Sequence, residues 1–491
     1  MFAHHAVTTK NKHQDNYFFS LLGLIICFGA AISVTLLVMT MADMGISITS
    51  GPFLLAILAD LGLVALPTWL ILTGRINYGG VVRFGAFALA GLMLFLNIFI
   101  TSYLNVTNDF LSDQYNLSKG GFVEYSIVAQ RSANIELPAK SVIRAGIQSS
   151  DACKNEATQE TKKLTPASFT EYDNLSELIE ATEEKTLDIA VVQSGVLTAF
   201  AEYFPDSYEK LDVLTRFKAG SEGSNTTSGR VDITKPFAIY ISGIDDYGLI
   251  NETSGRSDAN MIILVDPEHY KILLINTPRD YYVQLHGTTG YRDKLSHSGI
   301  YGIEMGEQTL EDLYDLNIDY HVLLNFDTLI RLVDAMGGIN VYNPSAFSLW
   351  GTSYAEGNIY LTGDYALMYA RARKTLSGGD NDRGENQQRV IEAIISRLTK
   401  PDVVIHYKSV IKALSGTFSS NIPPKVITQL FSRQISLGGN WTIERISATG
   451  TNAQRPTYSM GGDRELSVII PDENALEEIR ATIREFMRGA G

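Results

Sequence analysis

Arginine and aspartate residues gather beside two apolar stretches in the second half of the chain. These residues are Arg256, Asp258, Arg279 and Asp280. The segment between the two pairs is typical of an antiparallel hairpin whose turn is centred between Pro267 and Glu268. In that register Arg256 faces Arg279, and Asp258 faces Thr277. Because like charges that oppose each other across a strand pair are destabilising, this end of the hairpin is expected to hold an anion or extra carboxylates. A purely structural ion-pair network is the alternative.

A second group of arginines follows further along the chain. Arg371 and Arg373 share one face of an extended segment, because side chains alternate along a strand. In the helical pattern after them, Arg383 and Gln387 continue the apolar face, whereas Arg389 falls on another face and is expected to be solvated. An inward cation without a partner would be costly. Five arginines (256, 279, 371, 373 and 383) therefore predict a site for an oligoanion, since guanidinium groups donate paired hydrogen bonds to phosphate.

Two aspartates could add a metal ion to this site. Asp245 closely follows the apolar stretch 237–242, and Asp258 lies next to Arg256. Carboxylate oxygens suit Mg²⁺ (or Mn²⁺) that also binds phosphate oxygens. The sequence contains no GxxxxGK[ST] motif, so a P-loop nucleotide site is not expected.

The elements that carry these residues follow a linker. Residues 218–230 are rich in Gly, Ser, Thr and Asn, which indicates a domain boundary. After it, strands and helices alternate. This predicts an α/β (α+β) catalytic domain with a central mixed sheet flanked by helices, its core at 230–400 and its C-terminal part at 401–491. Before it, residues 105–229 predict a small α/β accessory domain without a catalytic constellation.

The first hundred residues predict a membrane anchor. Three stretches, 17–41, 52–73 and 84–104, are long and apolar enough to cross a bilayer. The first is too long for a signal peptide. The nearby cations are Lys10, Lys12, Arg75 and Arg83. The positive-inside rule therefore places the tail 1–16 in the cytoplasm and everything after the third span outside the cell.

Two polar residues lie within the predicted spans, Asp60 in the second and Asn97 in the third. At 1.5 Å per residue, both lie roughly 12–13 Å below the outer edge of the membrane. We expect them to hydrogen-bond and hold the two spans together. A functional acid within the membrane is the alternative.

Composition excludes several classes of protein. The 491 residues contain 40 Lys and Arg against 54 Asp and Glu, a formal net charge of −14. This argues against nucleic acid as a partner, because attraction to phosphates needs an excess of cations. Two cysteines exclude a disulfide scaffold and a cysteine-based zinc site.

These motifs resemble the LytR–CpsA–Psr family, and most of all its capsule-locus CpsA-type members. Six motifs occur in family order: GID (243–245), RSDANM (256–261), TPRD (277–280), LLNFDTLIRLVDAMGGINV (323–341), LTGDYALMYARAR (361–373) and DNDRGENQQR (380–389). The likeness is most specific over residues 236–400. The three spans and the accessory domain resemble the capsule-type members more loosely.

The resemblance implies a phosphotransferase. Such an enzyme moves a capsular polysaccharide or related glycopolymer from a polyprenyl-pyrophosphate carrier onto a sugar hydroxyl of peptidoglycan, assisted by Mg²⁺, and releases polyprenyl phosphate. The implied partners are this lipid-linked polymer, peptidoglycan, the membrane and other capsule-assembly proteins.

The resemblance also implies roles for individual residues. The implied metal ligands are Asp245 and Asp258, with Asp246 as an alternative because the loop after it varies in length among relatives. The implied pyrophosphate ligands are Arg256, Arg279, Arg371, Arg373, Arg383 and Gln387. Asp380 matches an acid near the phosphates, and either Asp280 or Asp380 is expected to accept the hydroxyl proton. The segments Tyr314–Leu316 and Thr328–Met336 resemble walls of the family's lipid tunnel, although core packing explains them equally well.

Three other functions stay open from the sequence. A membrane-tethered transcription regulator fits poorly, because no helix-turn-helix is expected in the short stretch before the first span. A non-catalytic module that binds polyprenyl phosphate for capsule assembly or regulation would need the arginines but not the metal carboxylates. A pyrophosphatase, with water in place of the sugar hydroxyl, is a conceivable side activity.

Overall fold

The computed structural model describes residues 2–46, 48–72, 80–118, 123–149, 151, 153–220, 232–244, 255–372, 380–400, 410, 414, 418–460, 462 and 465–489. The chain divides into two compact units. One is Met1–Ser112 with Pro423–Gly439, and the other is Asp113–Ile422 with Asn440–Gly491.

The first unit is built on three long apolar helices, α1 (Phe2–Asp43), α2 (Gly51–Leu72) and α3 (Gly80–Ser118). Within them, Leu21–Asp43, Gly51–Trp69 and Phe84–Asp113 are long and apolar enough to cross a membrane, as the sequence predicts. Small residues such as Ala30 and Ala90 are fully buried, which allows close approach of the helices.

The two polar residues of the predicted spans face each other. Asn97 is buried, and its side chain interacts with the Asp60 carboxyl. Neither Asp60 Oδ1 nor Asn97 Nδ2 completes a hydrogen bond of ordinary geometry with a described residue. The pairing of the two side chains is thus as expected, whereas a regular hydrogen bond between them is not formed.

A fourth helix belongs to this unit. Helix Pro424–Leu437 lies within the range that the sequence assigns to the C-terminal part of the catalytic domain. The Thr428 hydroxyl donates to the carbonyl of Met44. The Ser436 and Ser50 hydroxyls are 3.1 Å apart. This helix therefore packs on the connection between α1 and α2.

The second unit begins with a five-stranded sheet in the order β3-β2-β4-β1-β5. Its strands are β1 (Val123–Gln130), β2 (Ile143–Gln148), β3 (Ala167–Tyr172), β4 (Ile189–Gln193) and β5 (Leu211–Ala219). Its helices are α4 (Lys154–Leu164), α5 (Leu175–Glu183), α6 (Ser194–Tyr203) and α7 (Pro205–Tyr208). β2 runs parallel to β3 and β4, and β1 runs antiparallel to its neighbours. This part of the chain has the α/β composition that the sequence predicts, and it lies in the same compact unit as the larger sheet. We call it the accessory domain.

A six-stranded sheet in the order β16-β11-β6-β7-β8-β17 forms the centre of the larger domain. Its strands are β6 (Phe237–Ile244), β7 (Ser257–Asp266), β8 (Lys271–Thr277), β11 (Tyr320–Leu324), β16 (Phe418–Ser420) and β17 (Thr442–Ser447). The pairs β6–β11 and β8–β17 are parallel and the others are antiparallel. The predicted mixed sheet is therefore confirmed.

Helices and short hairpins surround this sheet. The helices are α8 (Ile303–Tyr314), α9 (Phe326–Ala335), α10 (Gly363–Ala370), α11 (Asp380–Leu398) and α13 (Glu473–Met487), while α12 is the helix Pro424–Leu437 of the first unit. The short strands are β9 (Tyr282–Val283), β10 (Asp293–Lys294), β12 (Ile339–Asn343), β13 (Phe347–Leu349), β14 (Thr352–Tyr354), β15 (Gly357–Leu361), β18 (Gly450–Pro456) and β19 (Glu465–Pro471). α8 and α13 pack on one core cluster with the sheet, and α9, α10 and α11 form another.

The register of the β7–β8 hairpin differs from the expected one. Asp266 lies opposite Lys271, so the turn takes four residues, Pro267–Tyr270, and its centre lies one residue later than predicted. The prediction that Arg256 faces Arg279 is therefore wrong. Continuing the observed register brings Asp258 opposite Arg279, and an ion pair replaces the expected repulsion.

Candidate functional site

An ion-pair network lies where β7 begins and β8 ends. The Arg279 guanidinium donates to a carboxylate oxygen of Asp258 and lies 3.5 Å from the Asp280 carboxylate. Lys294 is a second cation on Asp280, at 3.1 Å. All four side chains are largely buried, so water screens their charges only weakly. Arg279 is therefore held in place between two carboxylates.

A buried polar network fixes the start of β7. The Tyr240 hydroxyl donates to Asn260 Oδ1 at 2.7 Å, and the Ser257 hydroxyl donates to the same oxygen at 2.9 Å. Burial raises the pKa of Tyr240 to about 12, so the phenol stays a neutral donor at physiological pH. Because Ser257 lies between Arg256 and Asp258, this network positions both residues.

Two aromatic rings lie near Arg371. Its guanidinium carbon lies 4.4 Å from the ring centroid of Phe326 and 6.0 Å from that of Trp350. Phe326 is the first residue of α9, where Asn325 and Thr328 form a reciprocal capping box. Attraction between the cation and the nearer ring, that of Phe326, therefore orients Arg371, the residue that directly follows α10.

Helix α11 carries two of the predicted phosphate ligands, Arg383 and Gln387. The next residue, Gln388, is buried and donates to backbone carbonyls of β8 at 3.0 Å and of β17 at 2.7 Å. Gly384 approaches β8 so closely that a β-carbon there would lie 2.1 Å from Asn276 Nδ2. The sheet thus sets the position of the helix and of Arg383 and Gln387.

These side chains converge on one cavity of about 240 Å³. Its polar lining consists of Asp258, Arg279, Asn325, Arg371, Arg383 and Gln387. Its apolar lining includes Met261, Leu324, Leu329, Leu367, Val390 and Ile391. Among the described residues, three arginines and one carboxylate carry the charge of this cavity, so it is positive. Such a cavity can bind a multivalent anion that also has a hydrocarbon part.

The structure brings together five of the predicted site residues: Asp258, Arg279, Arg371, Arg383 and Gln387. Of the other predicted residues, Arg256 and Asp280 are described and do not line this cavity. Asp245, the alternative Asp246 and Arg373 lie outside the described residues, and only the backbone of Asp380 is described, as the first residue of α11. Asp280 lies behind Arg279 and not in the cavity wall. The roles of all these residues stay predictions.

Arg256 contacts the accessory domain. Its guanidinium donates to the hydroxyl of Tyr203, at the end of α6, at 3.3 Å. The Tyr203 ring meets the edge of the buried His297 ring at 6.0 Å. The sequence contained no signal for this contact, because Tyr203 precedes the linker and belongs to a different domain.

Arg389, Tyr314 and Leu316 all lie largely away from solvent and outside the cavity wall. Arg389 was expected to be solvated, but its side chain is only 13% exposed and it donates to Asn386 at 2.8 Å, so that expectation is wrong. The segment Thr328–Met336, which was proposed to line a lipid tunnel, contributes Leu329 to the cavity wall. Tyr314 instead lies in the core with its hydroxyl 2.7 Å from Thr277, so core packing explains Tyr314–Leu316.

The sequence analysis also missed two aromatic residues of the site, Phe326 and Trp350. Phe326 lies in the motif 323–341, directly before a helical pattern. Its position at the start of a helix, close to the arginine-rich motifs, was the signal that could have identified it. Trp350 lies in a turn between two three-residue strands, and such short strands leave no clear alternation in a sequence.

Comparison with known proteins places the chain in a family. The model of the LytR_cpsA_psr family matches residues 208–482, more than half of the chain. The chain belongs to the LytR_cpsA_psr family. The match begins within the accessory domain and includes every described residue of the cavity wall.

Relatives within the LytR_cpsA_psr family carry functional names. The chain is 29% identical over 269 residues to the polyisoprenyl-teichoic acid–peptidoglycan teichoic acid transferase TagU of Halalkalibacterium halodurans, covering 54% of this chain and 85% of that protein. It is 30% identical over 237 residues to TagU of Bacillus anthracis, covering 48% of this chain and 76% of that protein. The crystal structure of B. subtilis TagV matches with 29% identity and a TM-score of 0.45, covering 52% of this chain and 98% of that chain.

Proposed function

We propose that this protein transfers a glycopolymer from a polyprenyl-pyrophosphate carrier to peptidoglycan. One observation carries the proposal: a single cavity combines three arginines with an apolar wall. A polyprenyl pyrophosphate has the same two parts, a diphosphate and a hydrocarbon chain. The relatives named as teichoic acid transferases support the general reaction. The resemblance to capsule-type members favours a capsular polysaccharide as the polymer.

The proposed reaction is a phosphoryl transfer. The acceptor hydroxyl, in our proposal that of an N-acetylmuramic acid residue, attacks the phosphorus next to the sugar of the donor. A new P–O bond to peptidoglycan forms, the P–O bond to the other phosphate breaks, and polyprenyl phosphate leaves. Arg279, Arg371 and Arg383 stabilise the charge on the phosphates, which supplies most of the catalysis in such reactions.

The hydroxyl proton must pass to a base. Asp280 is bound by Arg279 and Lys294 and does not line the cavity among the described residues. A carboxylate held by two cations is a weak proton acceptor. We therefore favour Asp380 over Asp280 as the general base.

A magnesium ion fits the donor chemistry of this site. Asp258 lines the cavity, and a carboxylate has enough acceptor positions for both Arg279 and a cation. Asp258 would hold the ion together with Asp245 or Asp246, and the ion would offset phosphate charge. Mn²⁺ would serve in the same way.

We further propose that the reaction takes place outside the cell. The three apolar helices support a membrane anchor. The cations before the first helix and between the second and third favour a cytoplasmic N-terminus, which leaves the domains after the third helix on the outer side.

A transfer assay with the full-length protein in nanodiscs tests the proposal. The components are a lipid-linked glycan, peptidoglycan fragments and Mg²⁺, with EDTA in a parallel reaction. We expect a covalent glycan–peptidoglycan product that is lost with EDTA and with Arg279→Ala, and kept with Arg455→Ala, which changes an exposed arginine. Transfer by Arg279→Ala at the parental rate would exclude the mechanism. Donor binding without any product would favour the non-catalytic assembly module instead.

A further inference from the structure

An exposed tryptophan lies at the opening of the cavity. Trp350 lines the cavity although 66% of its surface is accessible to solvent. It occupies the turn between β13 and β14 together with Gly351, and both residues have positive φ, 48° and 82°. A tryptophan in the left-handed region is unusual, because side chains other than that of glycine are strained there. The turn therefore holds an indole ring at a position whose backbone conformation glycine would adopt with less strain.

The hairpin that carries Trp350 is firmly anchored. Phe347 and Tyr354 stack across β13 and β14 with their ring centroids 4.8 Å apart. Tyr369 of α10 meets these rings at 5.6 and 5.5 Å, and its hydroxyl donates to Asn343 at 3.2 Å. Since Tyr369 lies two residues before Arg371, one aromatic cluster supports both the hairpin and this arginine. The indole is thus a preorganised surface.

The indole lies directly beside the predicted phosphate ligands. Trp350 and Phe326 both lie near the Arg371 guanidinium, but Phe326 is the nearer ring, at 4.4 Å against 6.0 Å. Phe326 is therefore the principal contact of the cation. The large exposed fraction of Trp350 leaves ring surface accessible beside the anion-binding groups.

We propose that Trp350 is a stacking platform for the sugar that is joined to the diphosphate of the donor. The inference rests on the proposed function, because it takes the donor to be a glycan on a prenyl diphosphate. With the diphosphate at the arginines, the hydrocarbon chain lies against the apolar wall formed by Leu329, Val390 and Ile391. The sugar then extends toward the opening, where Trp350 is. The C–H face of a pyranose ring is apolar and slightly positive, so it packs on the negative face of an indole while its hydroxyls stay in water.

Two soluble probes separate this role from others. The first is geranylgeranyl diphosphate, and the second is the same diphosphate carrying one N-acetylglucosamine. Calorimetry on the full-length protein gives the affinity for each. We expect Trp350→Ala to weaken binding of the sugar-bearing probe about tenfold and to leave the sugar-free probe within about twofold. Trp350→Phe, which keeps an aromatic face, should recover most of the lost affinity.

Control variants make the outcomes distinct. Phe326→Leu should weaken both probes alike, because it acts on the diphosphate through Arg371. Tyr342→Ala removes an aromatic side chain that is 61% exposed outside the cavity lining and should change neither affinity. Equal weakening of both probes by Trp350→Ala would overturn the proposal, because the indole would then orient Arg371 or contact the lipid chain. Unchanged affinity for both probes would overturn it as well. If the parental protein binds neither probe, the proposed function itself fails.

Discussion

Replacing Gly384 by alanine gives opposite predictions from the sequence and from the structure. Gly384 is the fifth residue of helix α11, and alanine in place of glycine within a helix stabilises it by about 1 kcal/mol. In the structure, however, the new β-carbon would lie 2.1 Å from Asn276 Nδ2, far inside the shortest contact that β-carbons make. Asn276 is buried, so it cannot turn into water. Overpacking of this kind costs about 1–3 kcal/mol.

We therefore expect Gly384→Ala to lower the free energy of unfolding by up to about 2 kcal/mol, despite its better helix propensity. The start of α11 must also move away from β8, carrying Arg383 and Gln387 with it. A displacement of about 1 Å at a catalytic site can cost roughly a hundredfold in rate. Thermal unfolding and the transfer assay measure the two effects on the same nanodisc preparation.

A second substitution tests the cause. Asn276→Ala removes the atoms that the β-carbon meets, so the double variant should regain most of the rate that Gly384→Ala loses, a coupling that independent sites do not show. Gly91→Ala is the matched control, because a β-carbon at Gly91 in helix α3 meets no atom within 4 Å. A Gly384→Ala protein that is more stable and equally active would refute the reasoning.

Three further variants follow from the site. Arg279→Lys should lower the initial rate of transfer at least about tenfold, because an ammonium group lacks the planar fork that spans two carboxylates and a phosphate; an unchanged rate would contradict this. Tyr203→Phe should lower the rate roughly three- to tenfold at an unchanged melting temperature, since it removes only the hydroxyl bonded to Arg256; a matching loss of stability would point to a packing role. Asn325→Ala should reduce the free energy of unfolding, measured with urea, by about 1 kcal/mol, because it deletes the cap of α9. Equal urea midpoints for the variant and the parental protein would show that the cap contributes little to stability.

Local patterns predicted much of the fold. The long apolar stretches predicted the three apolar helices, and the alternating elements after the linker predicted the mixed sheet. The 3.6-residue period placed Arg383 and Gln387 on the face of α11 that reaches the cavity. These predictions succeeded because each depends on residues that are close in sequence.

What the sequence missed depends on register or on distant contacts. The turn is centred one residue later than expected, which places Asp258 opposite Arg279, and no residue type in the hairpin indicated the difference. Arg389 is only 13% exposed and interacts with the side chain of Tyr369 on α10, a contact that a helical period alone does not show. The pairing of Arg256 with the accessory domain requires the tertiary fold of both domains.

In the proposed function, one cavity holds the diphosphate and the prenyl chain of the donor together. A crystal structure of the protein with geranylgeranyl diphosphate is the decisive measurement. We expect diphosphate oxygens within hydrogen-bond distance of Arg279, Arg371 and Arg383, with the chain against Leu329 and Val390. A diphosphate bound elsewhere, with these three arginines contacting only protein, would contradict it.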